Sequence, residues 1–144
     1  MNQESPDRIH NAEANANERS RLIRATRFVY GLLAAIYLIC VILQVFFAGM
    51  GLFVNSDNLQ WHRTFANSFE FVPVVMFGLS FAGRIRGSLR WLPLGLFALT
   101  VLQHMTLQLF GGVFPALHTV NALLLFWISL YLTRRSGTWL LSRK

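Results

Sequence analysis

The sequence predicts an all-α integral membrane protein, a four-helix up-down-up-down bundle with both termini cytoplasmic. Three observations carry this. The 144 residues are 54% hydrophobic and only 13% charged, where soluble domains carry about 25% charged residues. The apolar residues fall in runs long enough to cross a bilayer. The arginines fall in short clusters between those runs. That is the pattern of topology signals rather than of a nucleic-acid-binding face, although the formal net charge is +7.

The length allows one domain. Residues 1–27 read as a basic cytoplasmic tail, disordered or loosely helical over 1–18, with Arg19, Arg21, Arg24 and Arg27 next to the membrane. They do not have the short apolar core and small-residue cleavage site of a signal peptide, so the first span is expected to be retained. The transmembrane domain covers 28–133. Its first span, 28–54, ends at the turn signal Asn55-Ser56-Asp57-Asn58. The second, 62–82, is polar from His62 to Glu70 and continuously apolar only from Phe71 to Ala82. The third runs over 91–111, and Gly111-Gly112 turns the chain. The fourth, 115–133, opens on Pro115, which suits a first helical turn. Residues 134–144 form a second basic tail.

Hydropathy alone barely supports the second span, and charge parity requires it. With four spans, Arg84, Arg86, Arg90, Arg134, Arg135, Arg143, Lys144 and the N-terminal arginines share one side. The opposite side keeps only Asp57 and Arg63. With three spans the clusters face opposite sides, against the positive-inside tendency. Trp61, Trp91 and Tyr131 fall near span ends, as interfacial aromatics do. No internal repeat stands out.

Polar side chains in lipid are costly and usually face other helices. At about 100° per residue, each span shows one polar or small stripe. On the first it is Tyr37, Cys40, Gln44, Ala48 and Gly51. On the second it is His62, Ala66, Phe69 and Pro73, with Arg63, Asn67 and Glu70 alongside. On the third it is Thr100, His104, Gln108 and Gly111. On the fourth it is His118, Ala122, Leu125 and Ser129, with Asn121 at the edge. His62 and His118 fall at the outer ends of diagonal helices, at matching depth. Glu70 and His104 fall deeper, and the inner half is almost wholly apolar.

Haem iron takes axial imidazoles, and bundle cores are a common place for such a site. His62 and His118 are therefore candidate ligands of a b-type haem iron, with Arg63 placed to pair with a propionate. The bland alternative is two solvated interfacial histidines. His104 reads as hydrogen-bonded to Glu70 or Gln44, as a further ligand, or as a proton relay with Glu70. Glu70 is a functional candidate because it is an acid within the membrane. Pro73 reads as a kink and Cys40, the lone cysteine, as inert packing. No nucleotide-binding loop, nucleophile triad or zinc-ligand run is present, so the residues give catalysis no support.

The stretches "LQVFFAGMG", "WHR", "LQLFGG" and "PALHTVNALLLFWISLYLTRR" resemble one four-helix half of the haem A synthase type. They also resemble, more closely, an uncharacterised bacterial family of small four-helix membrane proteins. The likeness covers about residues 28–135. It implies a bacterial cytoplasmic-membrane protein, with His62 and His118 as haem ligands and Arg63 in a His-Arg pair. The synthase has eight helices, an acid one turn before its second-helix histidine, and a loop cysteine pair. Here Asn58-Leu59-Gln60-Trp61 holds no acid and no such cysteines occur, so haem oxidation chemistry is not implied. Three functions follow as expectations: a haem-binding electron carrier or haem-handling subunit, with a redox partner; a non-catalytic subunit or scaffold, alone or as a homo-oligomer; and a small proton-coupled transport module using Glu70 and His104.

Overall fold

The computed structural model describes residues 6–108 and 116–141, and it is all-α. Its elements are α1 (Pro6–Phe53), a 3₁₀ turn (Ser56–Asn58), α2 (Leu59–Phe69), α3 (Val72–Ala82), α4 (Ser88–Gln108) and α5 (Ala116–Leu141). The Gly111-Gly112 turn, Pro115, Arg143 and Lys144 lie outside the described residues.

Helix α1 begins far ahead of the first predicted span. The segment expected to be disordered or loosely helical is continuous helix from Pro6. Its polar run is rich in Ala, Glu and Arg, good helix formers, and no Gly or further Pro interrupts it before Gly31. Helix α5 likewise continues through Arg134 and Arg135 to Leu141. The second predicted span is two helices in series. Pro73 has no N–H to offer the Phe69 carbonyl, and its ring crowds that carbonyl, so the helix opens at Glu70–Phe71. It restarts with Val74 N–H and Val75 N–H both donating to Phe71 O, at 3.0 and 3.2 Å.

Among the described residues, three segments are long and apolar enough to cross a membrane: His10–Phe53, Ser56–Ala82 and Ala116–Leu141. This fits a membrane protein. Helix α4, the third predicted span, is not among them. Its 21 residues span about 32 Å, enough to cross. Arg90, Gln103, His104 and Gln108 lower its apolar content over the described residues.

Helix α1 packs most extensively on α5, and also on α2 and α3; α4 packs on α5 and α3. Tyr30 OH donates to Leu89 O, and Tyr37 OH meets Thr100 Oγ1 at 3.1 Å, so side chains link α1 to α4 across the interior. The three basic clusters meet at one end. Arg27 Nε donates to Gly83 O at 2.9 Å, Arg90 Nε to Ile85 O at 2.9 Å, and Tyr131 OH lies 3.2 Å from Ser88 Oγ. The core fills this end, with Tyr30, Ala34, Tyr37, Met76, Ile85, Leu96 and Leu132 all buried.

Among the described residues, the extensive backbone contacts of α2 are with α1, and only Phe69 of α2 is buried. The buried core thus concentrates toward the arginine end, away from His62 and His118.

Burial sets two pairs of helical segments in a common register. Tyr30, Ala34, Tyr37, Val41 and Gln44 of α1 correspond at constant spacing to Leu89, Pro93, Leu96, Thr100 and Gln103 of α4, and each of these ten is buried or half-buried. His62, Phe65, Phe69, Pro73, Met76 and Ser80 of α2 and α3 correspond likewise to His118, Asn121, Leu125, Ser129, Leu132 and Ser136 of α5, with the same result. One half is α1 to α3, and the other is α4 with α5.

Candidate functional site

His62 lies in the first turn of α2 and His118 in the first turn of α5. Their rings meet centre to centre at 6.1 Å and are inclined by 52°. Both are half-buried.

Each ring is held from a neighbouring helix in the same way. His62 Nδ1 lies 3.0 Å from Gln44 O, and Gln44 Nε2 donates to His62 O at 2.7 Å. His118 Nδ1 lies 3.3 Å from Gln103 O, and Gln103 Nε2 donates to His118 O at 3.0 Å. A backbone carbonyl only accepts, so Nδ1 carries the hydrogen in both rings. In the neutral imidazole this leaves Nε2 with the free lone pair, as a metal ligand requires.

The amides around the pair have fixed orientations. Asn121, 4% exposed, donates through Nδ2 to Leu99 O at 2.8 Å and to Gln103 Oε1 at 2.5 Å. Flipping it would set its oxygen against two acceptors, and Gln44 is constrained the same way by His62 O. Asn121 Oδ1 and Gln44 Oε1 are consequently buried acceptors with no donor among the described residues. Buried acceptors usually have a partner, so these two call for a donor such as water.

The remaining expected residues divide clearly. Arg63 and Asn67 are exposed, and Arg63 makes no recorded contact among the described residues. Gln108 closes α4, and its side chain lies outside the described residues. Cys40 is a half-buried free thiol. Glu70 and His104 do come together. His104 Nδ1 is 3.0 Å from Thr100 O, and its Nε2 faces Glu70 Oε2 at 3.9 Å. The side chains are 41% exposed for His104 and 25% for Glu70, so the pair sits on the flank rather than in the core. The alternative partner expected for His104, Gln44, is bonded to His62 instead.

Sequence reasoning missed Gln103. The stripe assigned to the third span, Thr100-His104-Gln108, is one position rotated from the buried register Pro93-Leu96-Thr100-Gln103. The signal was available. "Leu-Gln", then Gly-Leu-Phe, then His occurs as Leu43-Gln44, Gly51-Leu52-Phe53 and His62. It recurs, with Val for Leu, as Leu102-Gln103, Gly112-Val113-Phe114 and His118.

No group of three or more His, Cys, Asp and Glu side chains is placed to hold a metal ion among the described residues. Two imidazole nitrogens are the whole donor set. That suits a metal that arrives with its other ligands, and haem iron brings four porphyrin nitrogens and needs only axial ones. Two imidazoles on one metal, with bonds of about 2 Å and about 1 Å from nitrogen to ring centre, stand about 6 Å apart. No curated protein and no solved structure matches the chain. Residues 44–107, from Gln44 through His62 and Gln103 into the last turn of α4, are similar to a family of unknown function (DUF6220).

Proposed function

We propose that the chain is a multi-pass protein of the cell membrane that binds a b-type haem through Nε2 of His62 and His118. It serves as an electron carrier or haem-handling subunit. Its helices form a four-helix up-down-up-down bundle, with α2 and α3 together making one crossing and both termini cytoplasmic. The meeting of three basic clusters at one end supports that orientation.

The observation that carries the haem reading is the histidine pair itself. Its rings stand at the spacing of two axial ligands, and both Nδ1 atoms are engaged by carbonyls. Bound there, haem would supply one-electron transfer. The chain's own residues hold the imidazoles and fix their tautomers. Arg63, exposed and uncommitted beside His62, is the nearest basic group for a propionate.

Reduced-minus-oxidised absorbance of the detergent-purified protein tests this. The expected result is a sharp α-band of a six-coordinate b-haem, lost in both His62→Ala and His118→Ala. No band after expression with ample haem would refute it.

A second reading rests on the Glu70–His104 contact. An acid facing an imidazole at a helix break can exchange a proton, as in a small proton-coupled transporter. Proton flux in vesicles, lost in Glu70→Gln, is the expected result. Equal flux in the variant leaves a non-catalytic scaffold or subunit role for a haem-free protein.

A further inference from the structure

We infer that Gln44 and Gln103 are the positioning residues of the histidine pair, acting as two equivalent clasps, one in each half of the chain. The inference rests on the reading of His62 and His118 as metal ligands, and it adds what makes them ligands.

Each clasp is a two-way exchange between neighbouring helices. The histidine ring donates to the main-chain carbonyl of the glutamine, and the glutamine side-chain amide donates back to the main-chain carbonyl of the histidine. A single bond would let the imidazole pivot about it. Two bonds running in opposite directions hold the helix pair in register and the ring in place. The carbonyl acceptor also selects the Nδ1–H tautomer, and hydrogen bonding at this nitrogen raises the basicity of Nε2.

Position in the common register supports the assignment. Gln44 and Gln103 are equivalent, as are His62 and His118, and the two half-sites meet where the rings do. His104, which also bonds a carbonyl through Nδ1, does so within its own helix, to Thr100. Among the described residues, no reciprocal amide holds it.

The clasps are not identical. The ring bond is 3.0 Å on the Gln44 side and 3.3 Å on the Gln103 side. Gln103 is bound in turn by Asn121, whereas Gln44 Oε1 has no donor among the described residues.

The test begins without haem. Nitrogen-15 NMR of histidine-labelled protein in detergent, at alkaline pH, reports which ring nitrogen carries the hydrogen. The expected result is Nδ1–H at both His62 and His118 in the wild type, and a weakened preference at His62 in Gln44→Met and at His118 in Gln103→Met, where the main-chain acceptor remains but the amide that holds it in register is gone. Helicity of both variants is checked by circular dichroism. Nε2–H at either histidine in the wild type overturns the proposal, whether or not any variant folds. Unchanged tautomers in folded variants overturn it equally. If haem is not bound at all, the tautomers still decide the clasp, and only the function falls. If it is bound, each variant loosens it by about 10- to 100-fold, the usual effect of removing a partner that orients a ligand. The same variants also shift the midpoint potential, which lost stability alone would not move.

Discussion

The first half of the chain, α1 to α3, and the second, α4 with α5, bury the same positions and hold a histidine by the same exchange. Three of their differences stand out. Pro73 corresponds to Ser129, so the first half is broken where α5 runs through. Glu70 corresponds to Phe126, and His104 to Val45. The equivalences describe a scaffold that presents two imidazoles to one point. The departures place an acid and a base in contact on one flank, beside the helix break.

The largest expected effect tests the shared part. His62→Ala and His118→Ala each remove the six-coordinate α-band. If one retains the wild-type band, the two halves are not equivalent at the metal. Next is the break. Ser129→Pro copies the first half into the second, but it removes the hydrogen bond to the Leu125 carbonyl in continuous helix. Thermal or denaturant unfolding in detergent is expected to show a loss of about 3 kcal/mol or more. Pro73→Ser makes the reverse change. It restores a donor to the Phe69 carbonyl, so hydrogen exchange over 70–73 slows while stability moves by no more than about 1 kcal/mol. Slower exchange with the haem band unchanged shows that the break serves the flank and not the histidines. The smallest effect concerns the flank itself. A double-mutant cycle with Glu70→Gln and His104→Gln is expected to give a coupling of about 0.5 kcal/mol, because the contact is long and half open. A coupling well beyond 1 kcal/mol shifts weight from scaffold decoration to a paired site.

Much of this was legible in the sequence. The face Tyr37, Gln44 and Gly51 of α1, and Phe69 and Pro73 beyond His62, were readable because a few polar, small or kinking residues mark them in apolar runs. His62 and His118 were readable for the same reason. The rotation of α4 was not. Lipid-facing positions are as apolar as buried ones, so amphipathic periodicity carries little signal, and His104 and Gln108 drew the stripe one position away from Gln103. The common register was hidden because burial preserves size and shape more than identity. Tyr30 pairs with Leu89, Ala34 with Pro93, Val41 with Thr100, and few letters match. The break at Glu70–Phe71 followed from Pro73, but its extent needed the alternative bonds to Phe71 O. The helix from Pro6 takes up the helical one of the two alternatives left open for the tail, because its residues favour helix although they are polar.

The connector between the halves, residues 83–87, is short, with Arg84 and Gly87 both in the left-handed region, φ 50° and 67°. It joins two units that each end on arginines at the same face of the molecule. On the proposed orientation, each unit carries its own address for insertion, and neither has to borrow orientation from the other. A gene cut within the connector is expected to yield two separately inserted pieces that meet at the histidines, and haem recovered only on co-expression would report their assembly.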